Sequence, residues 1–206
     1  MAERPPEPTS RTEPAVYAPI GEGEPLRQAE IISDLVQVRQ SFASLPSQAG
    51  PEIEIIRHPY ALVLTQDCDL EQDFALRFGN PEQPPPPEKL LPNILLCEVA
   101  TLGELRDRTP KGSDIWRRVV DNRDERYHLL ERVEPPADAL GQGLPALGID
   151  FKRCFTVPTD ELYFRVRSGA KRRCRLNSPY LEHLSSRFSS FLSRVALPRP
   201  HAIPSK

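Results

Sequence analysis

The pattern of apolar and polar positions predicts a chain built mainly from strands. Apolar runs rich in β-branched residues occur at residues 30–38, 53–57 and 60–65, and a His-Pro pair separates the second from the third. The run at 30–38 fits a bent strand or a short helix, and its β-branched residues favour the strand. Residues 93–100 form a nearly continuous apolar run, which is typical of a central strand. Residues 60–65 are the clearest strand prediction.

The second half of the chain adds further predicted strands and two predicted helices. The strands cover residues 127–133, 148–157, 161–167 and, as a short last one, 172–176. Helical spacing of apolar residues predicts a helix between residues 101 and 122, which Ser113 could cap. The clearest helix covers residues 179–195, with Asn177 or Ser178 as its cap and an amphipathic apolar face. We expect this helix to close one end of the sheet.

Proline-rich segments mark the regions that we expect outside the folded core. The 206 residues include 24 prolines. Residues 1–19 are predicted to form a disordered arm, because prolines lack backbone donors and the segment has too few apolar residues to form a core. Residues 70–92 look like one large insertion, an acidic and poorly periodic stretch followed by a Pro-rich loop at 79–92. A single α+β domain over residues 20–197 remains, followed by a loose tail at 198–206.

Segments for targeting and membrane insertion are not expected in this chain. No apolar run approaches the ~18 residues of a membrane span, and the charged, Pro-rich start lacks the apolar region of a signal peptide. The sequence therefore predicts a cytoplasmic protein without a membrane partner.

Charge is distributed unevenly along the chain. Residues 1–150 carry 15 Lys and Arg against 26 Asp and Glu, a net charge of −11, and residues 151–206 carry 12 against 3, a net charge of +9. The cations of a predicted C-terminal surface are Arg165, Arg167, Lys171, Arg172, Arg173, Arg175, Arg187 and Arg194. This surface could bind RNA phosphates or an acidic partner protein, and the acidic part of the chain could instead pair with its own basic segment.

A polar run directly after the clearest strand is the best candidate site, and we call Asp67, Cys68 and Asp69 the strand-end site. The two carboxylates could bind a divalent metal, or Cys68 could act as a nucleophile with His58 or His128 as its base. In a third interpretation the aspartates accept backbone N–H groups of a turn and Cys68 packs inward. We favour the third, because neighbouring carboxylates raise the pKa of a thiol.

The cysteines and histidines predict no metal site and no cofactor. The four cysteines contain no C-x-x-C pair, and none of the four histidines has metal-ligand spacing to another. Cys97 and Cys154 lie in apolar, strand-like runs and are predicted to pack as buried thiols.

Two segments near strands resemble a known family. HPYALVLT at residues 58–65 and NILLCEVATL at residues 93–102 resemble the SH3-like barrel of PemK/MazF-type toxins, which have an Arg-Pro before one strand and a Thr-Ser at the end of another. Here Pro59 matches, His58 stands at the position of the arginine, and Thr101 ends the later strand. The resemblance implies a small, strongly bent β-barrel and an endoribonuclease in which His58 and Thr101 perform acid–base chemistry on RNA.

A second resemblance comes from LVLTQDCDLEQDF and the ending RFSSFLSRVALP, which are similar to segments of uncharacterised bacterial proteins. Together, these features predict a non-catalytic protein-binding or regulatory component of a bacterial cytoplasmic system, such as a toxin–antitoxin or defence system. Its expected partner is another protein, and a small-molecule substrate is not expected. The alternative is a PemK/MazF-like endoribonuclease with RNA as substrate and His58 and Thr101 as catalytic residues.

Overall fold

The computed structural model describes residues 14–21, 23–42, 50–80, 82 and 85–194. Its strands are β1 (Tyr17–Ala18), β2 (Glu30–Ser41), β3 (Glu52–Val63), β4 (Asn93–Thr101), β5 (Tyr127–Leu130), β6 (Leu147–Pro158) and β7 (Lys171–Leu176). Its α-helices are α1 (Asp67–Phe78), α2 (Leu102–Arg108), α3 (Ser113–Val120), α4 (Thr159–Ser168) and α5 (Tyr180–Leu192). The strands form one antiparallel sheet in the order β1-β7-β2-β3-β4-β6-β5, curled into a half-barrel. The predicted α+β class is therefore confirmed.

Each face of the sheet carries a hydrophobic core, because side chains of opposite parity along the strands meet different helices. One core joins Ile31, Leu62, Cys97, Ile149 and Phe151 to Leu184 and Phe191 of α5. The other joins Ile32, Ala61, Val63 and Leu96 to Leu70 of α1 and Leu162 of α4. The predicted strands at 30–38 and 93–100 are confirmed, and the strand predicted at 60–65 runs to Val63.

The two predicted strands around the His-Pro pair form one continuous strand, β3. Pro59 has no N–H to donate, and the register between β2 and β3 omits the pair that it would form with Asp34. Asp34 has a left-handed φ of 59°. The irregularity is therefore absorbed by β2, and β3 continues through the proline.

Two segments that are predicted as loop or strand are helices. Residues 67–78, which include the stretch expected to be aperiodic, form α1, and residues 159–168 form α4 where a strand was expected. In α4, Leu162, Tyr163 and Val166 pack together on the second core. The strand prediction was wrong here because the apolar and aromatic residues also fit a helical spacing, and burial against the sheet selects the helix.

The helix predicted between residues 101 and 122 is divided into α2 and α3. Pro110 follows the end of α2, and the residue before a proline disfavours helical geometry. Ser113 is the first residue of α3, so it is not the residue before the helix that the prediction required. The strand predicted over residues 127–133 ends at Leu130, and Val133 forms a separate bridge with Leu144.

The end of the predicted disordered arm belongs to the sheet. Tyr17 and Ala18 pair with Leu176 and Arg175 of β7, and the Tyr17 hydroxyl donates to the Glu131 carbonyl at 2.8 Å. The folded part of the chain therefore begins before residue 20. Residues 1–13 of the arm and the tail at 198–206 lie outside the described residues. Within the described ranges, no helix combines the length and hydropathy that crossing a membrane requires.

Candidate functional site

The fold divides the predicted cationic surface, and its central residues contact buried carboxylates. Arg172 on β7 donates to both carboxylate oxygens of Glu30, at 2.6 and 2.8 Å, and Glu30 is fully buried. Arg172 also donates to the carbonyls of Glu24 and Pro25. Burial raises the pKa of Glu30, and the hydrogen bonds from Arg172 oppose that rise. Arg172 therefore neutralises an internal charge.

Arg173 makes a second internal ion pair. Its side chain is 7% exposed, and Nε and Nη2 donate to the two oxygens of Asp138 at 2.8 and 2.7 Å. Asp138 also accepts the backbone N–H groups of Leu140, Gln142 and Gly143. Hydrogen bonding from Arg173 lowers the pKa of Asp138 to about 2. A guanidinium occupied in this way has little capacity to bind a phosphate.

Three other arginines of the predicted surface are also engaged by neighbours. Arg165 pairs with Glu161 one helical turn away, at 3.0 Å. Arg187 donates to three backbone carbonyls in the segment 122–127. Arg194 lies over the Phe191 ring at 3.9 Å from its centroid and donates to the Phe191 carbonyl.

The remaining members of the set are Arg167 and Lys171, which are exposed, and Arg175, which is half-buried. The prediction of one continuous cationic surface does not hold for Arg172, Arg173 and Arg187, because their terminal guanidinium nitrogens donate to groups within the fold. The alternative in which acidic residues of the chain pair with its own basic segment accounts for the Glu30–Arg172 and Asp138–Arg173 pairs.

The strand-end site lies in the first turn of α1. Asp67 accepts the backbone N–H of Gln28 at 2.7 Å, which ties the start of the helix to the segment before β2. Cys68 and Asp69 are exposed, so the expected inward packing of Cys68 is wrong. Carboxylates in a first turn interact favourably with the helix dipole. Among the described residues, no three His, Cys, Asp or Glu side chains are grouped so that they could hold a metal ion.

His58 and Thr101 have separate structural roles. His58 is 5% exposed, its Nε2 lies 3.0 Å from Gln37 Oε1, and its ring stacks on Phe155. Burial lowers the pKa of His58. The Thr101 side chain accepts the backbone N–H of Glu104 and donates to its carboxylate, forming the capping box of α2. Both side chains are occupied by internal hydrogen bonds, and these bonds do not join one residue to the other.

A cavity of about 300 Å³ brings together two histidines that the sequence analysis did not connect. His128 on β5 and His183 on α5 lie with ring centroids 5.4 Å apart, and Asp121 and Glu131 also line the cavity. Burial lowers the pKa of His128 to about 3, and the positive charge of Arg187 contributes. His128 is therefore neutral near pH 7. The two residues are far apart in the sequence, so no local signal could have paired them.

A larger cavity, of about 580 Å³, lies between the segment before β2 and the helices α1 and α4. Leu26, Phe74, Tyr163 and Val166 give it a mainly apolar wall, and Arg167 adds an exposed guanidinium. These side chains offer contacts for an apolar group.

The β2–β3 hairpin extends beyond the rest of the sheet. β7 pairs with β2 only from Glu30 to Ser33, and β4 pairs with β3 only from Tyr60 to Val63. Residues 35–41 and 52–58 pair only with each other in the described sheet. The outer part of the hairpin is therefore a two-stranded ribbon.

This ribbon and Phe42, the residue directly after β2, carry exposed apolar side chains. Val38 lies opposite Ile55, and directly opposite residues of an antiparallel pair share a face. The exposed fractions are 41% for Val38, 62% for Phe42, 76% for Ile53 and 64% for Ile55. We call these four residues the apolar stripe. The sequence predicted the strands but not the stripe, because apolar alternation does not reveal whether a face meets the core or solvent.

Comparison with known proteins leaves the chain without an assigned family. No family model, no curated protein and no solved structure matches it.

Proposed function

We propose that this protein is a protein-binding or regulatory component and that the apolar stripe contacts its partner. The supporting observation is the exposure of four apolar side chains on, or directly after, a ribbon that extends beyond the sheet: Val38, Phe42, Ile53 and Ile55. Exposed apolar side chains gathered in one place are typical of interaction sites. Burying one such side chain contributes roughly 1.5–3 kcal/mol, part of which is offset by the entropy lost on association.

The expected partner is a protein with an apolar cleft. Arg39 and Glu54 form an ion pair of 2.9 Å on adjacent strands of the same ribbon. Because side chains alternate along a strand, this pair lies on the face opposite the Val38–Ile55 pair. A cleft that receives the ribbon would therefore bury the stripe while the ion pair stays at the solvent-facing side.

The proposed setting is a bacterial cytoplasmic system of the toxin–antitoxin or defence type. All four cysteines are free thiols, as is usual for a protein of a reducing compartment. We further propose that the half-barrel is an SH3-like barrel, as the resemblance to PemK/MazF-type toxins implies.

The test compares partner capture by variants that are matched for exposure. Ile53→Asp with Ile55→Asp places charges in the stripe, and Phe164→Asp changes an apolar residue of α4 that is 62% exposed. We expect a partner captured by the wild type to be lost with the double variant and kept with Phe164→Asp. The partner is then identified by mass spectrometry, purified, and titrated against the three proteins by calorimetry.

Two results would contradict this assignment of the surface. Equal affinities for the wild type and the double variant would place the interface elsewhere. Sedimentation velocity on the pure protein tests for self-association. If the wild type is a dimer and the double variant is a monomer, the partner is a second copy of the chain rather than a separate protein.

The ribonuclease alternative has less support. Its residues, His58 and Thr101, are held by internal hydrogen bonds, and His58 is buried. We expect no cleavage when the pure protein is incubated with total RNA. Cleavage that disappears with His58→Ala, while circular dichroism shows an intact fold, would favour the ribonuclease over the protein-binding proposal.

A further inference from the structure

Two cysteines that are distant in the sequence lie directly opposite each other in the sheet. Cys97 on β4 is the register partner of Cys154 on β6, and both pack in the core that α5 covers. Directly opposite residues in antiparallel strands have Cα atoms about 4.5 or 5.5 Å apart, depending on the type of pair. Both values fall in the range of roughly 4.4–6.8 Å that disulfides require. A bond between the two sulfurs is therefore compatible with the existing strand positions.

The two thiols differ in exposure. Cys97 is fully buried and its thiol donates to the Asp150 carbonyl, while Cys154 is half-buried and donates to the Phe151 carbonyl. Hydrogen bonding with Cys154, together with burial, raises the pKa of Cys97. Cys154 is thus the more accessible of the two thiols, and an oxidant reaches it before it reaches Cys97.

The other two cysteines lack this arrangement. Cys68 is exposed in the first turn of α1, between two aspartates. Cys174 is buried on β7, and burial raises its pKa to about 12. These two residues serve as internal controls.

We propose that Cys97 and Cys154 form a peroxide-oxidised dithiol, in which Cys154 reacts first and Cys97 closes a disulfide. The Cys154 thiolate attacks hydrogen peroxide, an S–O bond forms as the O–O bond breaks, and hydroxide leaves. The Cys97 sulfur then gives up its proton and attacks the sulfenic sulfur of Cys154, so that the S–S bond forms as the S–O bond breaks. Each of the two released hydroxides takes up one of the two protons that the thiols gave up. Overall, two thiols and one peroxide give one disulfide and two waters.

The site is independent of the apolar stripe, since it lies between β4 and β6 rather than on the ribbon. A cross-strand disulfide constrains both strands and is more easily reduced when its geometry is strained. In a reducing compartment such bonds are usually transient and respond to oxidants. We expect the disulfide to be reversed by dithiothreitol.

The test uses the full chain treated with hydrogen peroxide at neutral pH. Free thiols are counted after denaturation, and non-reducing peptide mapping by mass spectrometry identifies the linked cysteines. The matched control is the Cys68→Ser/Cys174→Ser variant, which keeps only the proposed pair. In this control, we expect both remaining thiols to be lost and a peptide pair linking Cys97 to Cys154. Dithiothreitol should restore both thiols.

Single variants test the order of the steps. In Cys97→Ser, Cys154 should stop at the sulfenic acid, which dimedone traps, and in Cys154→Ser the thiol of Cys97 should stay reduced. If Cys97→Ser does not fold, peptide mapping of the control variant still shows whether Cys97 and Cys154 form a disulfide. The proposal is overturned if the control variant keeps both thiols under peroxide. It is also overturned if its disulfides link different chains, or if Cys154 is oxidised to the sulfinic acid without a link to Cys97.

Discussion

Replacing Asp138 by Asn should strongly destabilise the protein, because the change leaves the buried Arg173 charge unpaired. Asp138 is fully buried at its side chain and accepts hydrogen bonds from the Arg173 guanidinium and from three backbone N–H groups. Breaking a buried ion pair from one side costs about 3–5 kcal/mol. For a domain of this size each kcal/mol lowers Tm by about 2–4 °C, so we expect a Tm about 6–20 °C lower.

The pH dependence gives an independent measure of the same pair. The pKa of Asp138 is lowered to about 2 in the folded protein, against about 3.9 for an unfolded aspartate. A depressed carboxylate pKa contributes stability that is complete above the unfolded value and is lost as the pH falls through the folded value. The contribution is about 2.6 kcal/mol, lost between about pH 5 and pH 1. Asp138→Asn should lack this part of the acid sensitivity.

The assay is urea unfolding followed by circular dichroism at several pH values, with Glu54→Gln as the control. Glu54 pairs with Arg39 at the surface, where both side chains are about half exposed, so its loss should cost no more than about 1 kcal/mol. Adding Arg173→Met to Asp138→Asn should recover part of the loss, because the buried charge is then removed. The reasoning fails if Asp138→Asn costs less than about 1 kcal/mol, or no more than Glu54→Gln.

Three further predictions concern single side chains. The pKa of His128 is about 3 in the folded protein and about 6.5 in the unfolded protein, so the free energy of unfolding should fall as the pH drops below about 6.5. His128→Phe should reduce that fall in urea titrations. An NMR titration in which the His128 ring changes charge near pH 6.5 would contradict this prediction. Gly148→Ala should lower the stability in thermal melts by about 1–3 kcal/mol, because the new Cβ would lie 2.3 Å from Leu105. Gly103→Ala in α2 should instead raise the stability by about 0.5–1 kcal/mol, because no atom lies within 4 Å of its Cβ. Equal effects of the two variants would refute the packing argument. Thr101→Ala should cost about 1 kcal/mol and Thr101→Ser much less, and equal losses in urea unfolding would exclude the capping role.

Sequence reasoning succeeded where one local signal decides the structure. β4 is predicted correctly because its nearly continuous apolar run has the length of a strand and is typical of a central strand that is buried on both faces. It failed at α4, where residues 161–167 contain tyrosine, phenylalanine and valine and so have strand propensity, yet Leu162, Tyr163 and Val166 pack on the second core from a helix. The intrinsic strand propensity of these residues is weak enough that burial against the sheet overrides it.

The candidate sites depended even more on long-range contacts. The sequence shows that the C-terminal arginines are close together along the chain, but whether they face solvent or carboxylates depends on strand order, which places β7 beside β2. The same holds for the exposure of Ile53 and Ile55, because periodicity shows that two faces differ and does not show which one is covered.

The amino-acid sequence by itself determined the α+β class, the strands β2, β4 and β7, and the imbalance of charge between the two parts of the chain. Each of these follows from propensity, periodicity or composition, which act over neighbouring residues. The tertiary structure alone decided that Glu30 meets Arg172, that Asp138 meets Arg173, and that Cys97 lies opposite Cys154. Such pairs join residues far apart in the chain, and their positions are set by how the sheet and helices bury apolar surface together.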